Sequence, residues 1–162
     1  MARALVAMGA NTGQAACTLR AAAAAAGRLP GTRLLRRSRL RRTPPESPRD
    51  GGPFWNGALL LETELGPREL LRELLALERR WGRSRRPGQH GGPRPLDLDL
   101  ILYAGCVAGG SSLELPHPRF RGRRFVLEPA AEVAGDLRDP VSGRTLTALL
   151  AALPGGRPGR RA

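Results

Sequence analysis

The chain has no lysine: all 27 of its basic residues are arginine. That absence excludes a Walker-type phosphate loop, which needs a lysine beside the β- and γ-phosphates. Aromatic residues make up only 4% of the sequence, poor material for the stacking platforms on which single-stranded nucleic acid is held. The only cysteines, Cys17 and Cys106, fall in an expected helix and just after an expected strand. They form no close metal-type pair, and buried or incidental thiols are expected rather than a disulfide. No run approaches the ~18 apolar residues of a membrane span. Met1–Ala10 lacks the charged start and long apolar stretch of a secretory signal. A cytoplasmic protein with no membrane partner is therefore expected.

The net charge of +13 over 162 residues would draw any polyanion. The length suits one domain with a sizeable core, expected over residues 1–153. The Arg/Gly/Pro-rich stretch 154–162 is expected to be disordered.

The chemistry concentrates between His90 and Tyr103. From Leu96 on, the alternation of Leu96, Leu98, Leu100 and Leu102 predicts a strand with one face in a core. Asp97 and Asp99 then share the opposite face with Ile101 and Tyr103, the two acids roughly 6–7 Å apart at Cα. Carboxylates that close repel unless a cation lies between them. Oxygen ligands of this kind suit Mg²⁺, which takes one or two carboxylates and fills its other positions with water and phosphate oxygens. Arg94 stands at the mouth of the strand, after the stiff Gly92-Pro93 turn.

Along the rest of the chain, Ala4–Met8 predicts a buried strand, and Gln14–Ala26 an alanine-rich helix. Asn11 or Thr12 is expected to cap that helix and Gly27 to stop it. Thr32–Thr43 carries six arginines on a loose alternation and predicts one strand with a basic face. The four prolines between Thr43 and Pro53 preclude regular structure, and a loop that long in a compact domain is usually functional or disordered. Phe54 to about Glu64 predicts a strand. Gly66-Pro67 opens a helix with a stripe of Leu70, Leu71, Leu74, Leu75, Leu77 and Trp81, ended by Gly82, with Glu78 beside the stripe near its exit. Arg83–Gln89 reads as a flexible basic loop. Pro116-His117-Pro118 holds a histidine between prolines, with Arg119, Arg121, Arg123 and Arg124 after it. Asp139–Gly143 predicts a turn, and Thr145 the cap of a closing helix to about Leu153. Paired acids, arginines and no phosphate loop are the parts of a Mg²⁺-dependent phosphotransferase, a reaction catalysed mainly by positioning and charge neutralisation.

Five motifs, Arg42-Thr43-Pro44-Pro45, Phe54-Trp55-Asn56, Leu77-Glu78-x-x-x-Gly82-Arg83, Gly92-Pro93-Arg94-x-x-Asp97-Leu98-Asp99, and Leu115-Pro116-His117-Pro118-Arg119 followed by Arg123-Arg124-Phe125-Val126-Leu127, occur in one order from about Ala4 to Leu153. In order and spacing the chain resembles the 6-hydroxymethyl-7,8-dihydropterin pyrophosphokinase family of folate biosynthesis. The resemblance implies an α+β, ferredoxin-like fold: an antiparallel sheet with helices packed on one side and mobile catalytic loops on the other. It implies transfer of pyrophosphate from ATP to the hydroxymethyl group of the pterin, releasing AMP, by a monomer with no specific nucleic-acid partner. Two Mg²⁺ ions would be bridged by Asp97 and Asp99. The pterin would stack between Phe54 and Phe125, its amide edge read by Asn56 with Thr43, Pro44 and Pro45 alongside. Arg83, Arg86, Arg94, His117 and Arg123 would contact the polyphosphate or the transition state. Glu78, Leu98 and Ile101 would lie by the nucleotide.

The chain also departs from that pattern. The aromatic, usually tryptophan, that precedes Gly-Pro-Arg is here Gly91, with His90 expected to take over part of its covering role. Arg86 stands where lysine is common, and the usual Gly-Ser-Asn is Gly9-Ala10-Asn11. Three rival readings are weaker, one of them a family-like protein whose altered lid has degraded its activity. A basic nucleic-acid module lacks its aromatics. A two-metal nuclease would need further acidic ligands, and the acids here are few and scattered.

Overall fold

The structure, a computed structural model, describes residues 1–45, 48, 51–82 and 94–155. Its elements run β1 (Ala2–Ala10), α1 (Ala15–Ala26), β2 (Thr32–Arg37), β3 (Arg41–Thr43), β4 (Phe54–Thr63), α2 (Pro67–Arg80), β5 (Asp97–Tyr103), α3 (Arg124–Ala134) and α4 (Leu146–Ala151), with a 3₁₀ turn at Phe120–Gly122. The sheet order is β2-β4-β1-β5, with β3 also pairing β4, and every pairing is antiparallel. β1 and β2 are thus parallel with β4 between them, and β4 and β5 parallel with β1 between them. Helices α1 and α2 make the two crossovers, the split βαβ arrangement of a ferredoxin-like fold. The α+β antiparallel sheet with helices packed on it agrees with the expectation.

The sheet is clad on both faces rather than one. Ala4, Val6, Met8, Leu59, Leu61, Leu98 and Leu100 meet α1 and α2, whereas Leu5, Ala58, Leu60, Ile101 and Leu102 meet α3 and α4. The sequence reading places no helix at α3, where Pro129 sits inside the helix and removes the N–H that would bond the carbonyl of Phe125. α3 buries Val126, Leu127, Ala130 and Val133 against the sheet even so.

Three local differences from the sequence reading have clear causes. The arginine-rich stretch makes two strands, not one, with Ser38 buried between them. Ser38 patches the gap by pairing its N–H with the Ala58 carbonyl and accepting the Ala58 N–H on Oγ, both at 2.9 Å. Gly27 ends α1 in a right-handed conformation, so it is not a left-handed stop. What requires glycine there is Leu34, whose Cβ would lie 2.9 Å from a Cβ at residue 27. Finally, the β1–β5 register shifts between Leu5 and Val6, leaving Ile101 as a bulge. The bulge moves Leu102 into the α3/α4 core and turns Tyr103 toward the other, where its Oη donates to the Leu65 carbonyl at 2.5 Å. The expected single leucine face therefore holds only through Leu100.

The expected helix ends stand. α2 has Gly66 before Pro67, the Gly66 N–H donating to Glu69 Oε1 at 3.4 Å, and Gly82 beyond its end at φ +84°. Thr145 Oγ1 accepts the Ala148 N–H at the start of α4. Both thiols are free and exposed. No described helix is long and apolar enough to cross a membrane.

Candidate active site

α3 and α4 pack on their sheet face around Leu5, Ala58, Leu60, Ile101 and Leu102. On the same face, register brings the polar residues together. Gly9 pairs with Asn56 on one side and Asp97 on the other, and the next row inward pairs Ala7 with Ala58 and Asp99. Side-chain alternation puts Phe54, Asn56, Asp97 and Asp99 on this face. With strands about 4.8 Å apart, Asn56 and Asp97 flank Gly9 across roughly 10 Å of sheet. A Cβ on Gly9 would come 3.4 Å from Asn56 Oδ1, so the glycine keeps the floor between the two functional rows low.

The Asn56 side is held by β3. Asn56 is 7% exposed, and its Nδ2 donates to Thr43 Oγ1 at 2.8 Å. Thr43 pairs across the ladder with Phe54, and Pro44 and Pro45 follow directly. Phe54 is half-buried but belongs to neither hydrophobic core, a placement core packing does not explain. Phe125 stands in the first turn of α3, partly buried against the second core, with the Arg123 guanidinium 5.6 Å from its ring centroid.

On the aspartate side, Arg94 Nη1 donates to Asp97 Oδ2 at 3.0 Å. His117 is tied by its backbone N–H to the Ile101 carbonyl at 2.9 Å. Its ring Nδ1 accepts the Arg119 N–H at 3.2 Å, so the proton of the neutral imidazole sits on Nε2, which is left to donate. Burial first, and then the Arg123 and Arg119 charges, pull the His117 pKa below its ordinary value, against the opposing pull of Glu114 and Asp97. These couplings place His117 in the electrostatic reach of both Asp97 and Arg123. Its ring is neutral at neutral pH, a hydrogen-bond donor rather than a cation.

Three residues expected by the nucleotide are buried. Leu98 and Ile101 are buried in opposite hydrophobic cores. Glu78 is 2% exposed, and its Oε1 accepts the Leu98 N–H at 2.7 Å. Its carboxylate pins α2 to the backbone between the two aspartates, a support for the strand. Replacing Glu78 by Ala would leave that buried N–H without this acceptor, a cost of about 1–3 kcal/mol. We expect the urea midpoint of Glu78→Ala to fall accordingly and Glu78→Gln, which still offers a carbonyl oxygen, to recover most of it.

Asn11 is a site residue the sequence reading misassigned. α1 begins at Gln14 with no side-chain cap, and Asn11 turns the other way. Its backbone N–H donates to the Arg94 carbonyl at 3.0 Å, its Oδ1 accepts the Arg94 N–H at 2.6 Å, and its Nδ2 reaches the Gly52 carbonyl at 3.5 Å. It thus ties the entry of β5 to the end of the Pro/Gly loop. Only the contact map reveals this, because the partners are 83 and 41 residues away. Arg83, Arg86, His90 and Gly91 lie outside the described residues.

The donor set fits Mg²⁺: two half-buried carboxylates on one strand face, and among the described residues no cluster of three His, Cys, Asp or Glu side chains that would make a closed protein cage.

Residues 5–135 match the family model described as 7,8-dihydro-6-hydroxymethylpterin-pyrophosphokinase. The chain is 40% identical over 153 residues to the 2-amino-4-hydroxy-6-hydroxymethyldihydropteridine pyrophosphokinase of Methylorubrum extorquens, covering 94% of each chain. To the protein of the same name from Pseudomonas aeruginosa it is 42% identical over 152 residues, covering 94% of this chain and 92% of the relative. To that of Haemophilus influenzae it is 36% identical over 142 residues, covering 88% of both. The chain belongs to the 7,8-dihydro-6-hydroxymethylpterin-pyrophosphokinase family.

Proposed function

We propose that the chain performs its family's reaction on the sheet face around Gly9, with Asn56 and its neighbours binding the pterin and Asp97 and its neighbours binding the triphosphate. As a member of the family it is a transferase of folate biosynthesis that moves a pyrophosphoryl group from ATP to 6-hydroxymethyl-7,8-dihydropterin. The single observation that carries the site assignment is the cross-strand row Asn56–Gly9–Asp97, which sets an amide for a heterocycle beside a carboxylate for a cation on one face.

In this reading the pterin lies flat between Phe54 and Phe125, with its amide edge on Asn56 and Thr43. Its hydroxymethyl oxygen then points along the floor past Gly9 toward the β5 side. That oxygen attacks the β-phosphorus of ATP, and its proton passes to solvent. The bond from β-phosphorus to the α,β-bridging oxygen breaks, AMP departs with that oxygen, and the pterin keeps the diphosphate. Asp97 and Asp99 would hold two Mg²⁺ ions, which supply charge neutralisation on the triphosphate and polarisation of its β-phosphorus. Arg94, held by Asp97 and Asn11, and Arg123, at the start of α3, meet the phosphate charge. Neutral His117 donates its Nε2–H to a phosphate oxygen without losing a proton of its own. The chemistry is positioning and electrostatics, and no general base is required of the described residues.

The test is AMP formation from ATP and Mg²⁺ with and without 6-hydroxymethyl-7,8-dihydropterin, alongside calorimetric titration of the pterin. AMP release that depends on the pterin is expected. ADP as the nucleotide product, or no pterin binding by the folded protein, would overturn the reading.

A further inference from the structure

Beyond that face, the most highly connected polar group in the described structure is Asp139, in the turn between α3 and α4. Its carboxylate is fully buried, at 0% exposure. Arg121 meets it with a two-pronged fork, Nε to Oδ2 at 2.6 Å and Nη2 to Oδ1 at 2.8 Å. Ser142 Oγ donates to Oδ2 at 2.7 Å, and the Val141 N–H to Oδ1 at 3.0 Å. The main chain of Asp139 is locked as well, its N–H donating to the Arg144 carbonyl and its own carbonyl accepting the Gly143 N–H. The Arg121 guanidinium also lies 4.8 Å from the ring centroid of Phe120, itself fully buried. None of these groups belongs to the site described above. Arg121 stands two residues before Arg123, in the 3₁₀ turn whose Phe120 carbonyl accepts the Arg123 N–H at 3.2 Å. The Arg123 carbonyl in turn accepts the N–H groups of Val126 and Leu127, opening α3.

We propose that the pair of half-buried Arg121 and buried Asp139 is a positioning device for Arg123, fixing the direction from which that guanidinium approaches the phosphates. The proposal rests on the reading of Arg123 as a phosphate contact. An ion pair with one partner a third exposed adds little net stability, whereas a planar fork dictates orientation as well as distance. Three anchors hold the segment before α3: the Phe120 side chain in the core, the Arg121 fork on Asp139, and the Arg123 main chain at the helix start. Only the middle one sets how the turn is rotated about the other two. With the fork gone, the 3₁₀ turn keeps its ends and loses its angle.

The variants to compare are Arg121→Lys, which keeps the charge and loses the fork, Ser142→Ala, Arg123→Ala, and the double variant Arg121→Lys/Arg123→Ala. kcat and both KM values are read well below each variant's melting temperature. In Arg121→Lys, kcat is expected to fall roughly ten- to hundred-fold, the scale on which small misplacements act, with the melting temperature within a few degrees of the parent's. The double variant should be no slower than Arg123→Ala alone, because Arg121 acts through Arg123. A merely structural pair would lower the melting temperature, leave kcat within two-fold, and show additive losses in the double variant; that pattern overturns the proposal. An impaired Arg123→Ala beside an unimpaired Arg121→Lys overturns the positioning role alone. An Arg123→Ala as fast as the parent overturns the reading of Arg123 and the proposal with it. Should Arg121→Lys fail to fold, Ser142→Ala decides on the same criteria, through the looser Asp139 carboxylate it leaves: a kcat lowered by more than two-fold supports the proposal, and an unchanged one overturns it.

Discussion

Asp97→Asn and Asp99→Asn should each lower kcat by about a hundred- to a thousand-fold, the range seen when one preorganised charge-stabilising group is lost, while the protein stays folded. The substitution is isosteric. In Asp97→Asn the side-chain carbonyl oxygen can still accept from Arg94 Nη1, which now bonds Asp97 at 3.0 Å, so the geometry survives and the charge does not. The double variant Asp97→Asn/Asp99→Asn should be little slower than either single variant, since two carboxylates that would hold the same pair of Mg²⁺ ions act as a unit. AMP release under saturating pterin measures the loss, and a Mg²⁺ titration should show the requirement moving to higher metal. An acidic strand face that was merely solvated would lose nothing in either substitution, and rates within two-fold of the parent would return Asp97 and Asp99 to that role.

Asn56→Ala should raise the pterin KM by roughly ten- to a hundred-fold, the equivalent of the 1–3 kcal/mol that follows when a buried polar partner is removed, with the ATP KM unchanged. Asn56 bonds Thr43 at 2.8 Å through Nδ2, which leaves its second N–H and its Oδ1 for the amide edge of the ligand. Asn56→Asp is the sharper variant. It keeps size and shape but has no N–H to offer either Thr43 or the ligand, so it should bind pterin no better than Asn56→Ala. Isothermal titration of the pterin, with a melting curve on each variant, separates lost recognition from lost fold. An equal rise in both KM values would mean that Asn56 supports the whole face instead of reading one ligand.

These two expectations concern residues whose roles the family motifs indicate, and what they need from the structure is the row that joins them. Asn56 and Asp97 are far apart in the chain and become neighbours of Gly9 only through the antiparallel registers of β4 and β5 on β1. A strand alternation tells which residues share a face of their own strand. It says nothing of which strand lies beside it or which residue lies opposite.

The features legible in the chain alone are those governed by short-range chemistry. The Asp97/Asp99 spacing puts two carboxylates on one face of a strand. Gly66-Pro67 and Glu69 start α2, Gly82 stops it, and Thr145 caps α4, because each acts on backbone groups within a turn of itself. The lack of lysine ruled out one whole class of phosphate site without any fold. Whatever depends on a distant partner was settled by packing and register instead. The Ile101 bulge sends Leu102 and Tyr103 to faces opposite to those their alternation predicts, since packing against two separate cores outweighs strict pairing. Asn11, capable of capping α1, instead bonds Arg94 and Gly52, and Glu78 turns inward to hold the Leu98 N–H. α3 forms despite Pro129 because four apolar side chains meet the sheet. In each case a polar or apolar group had several acceptable local partners, and only the assembled fold determined which one came within reach.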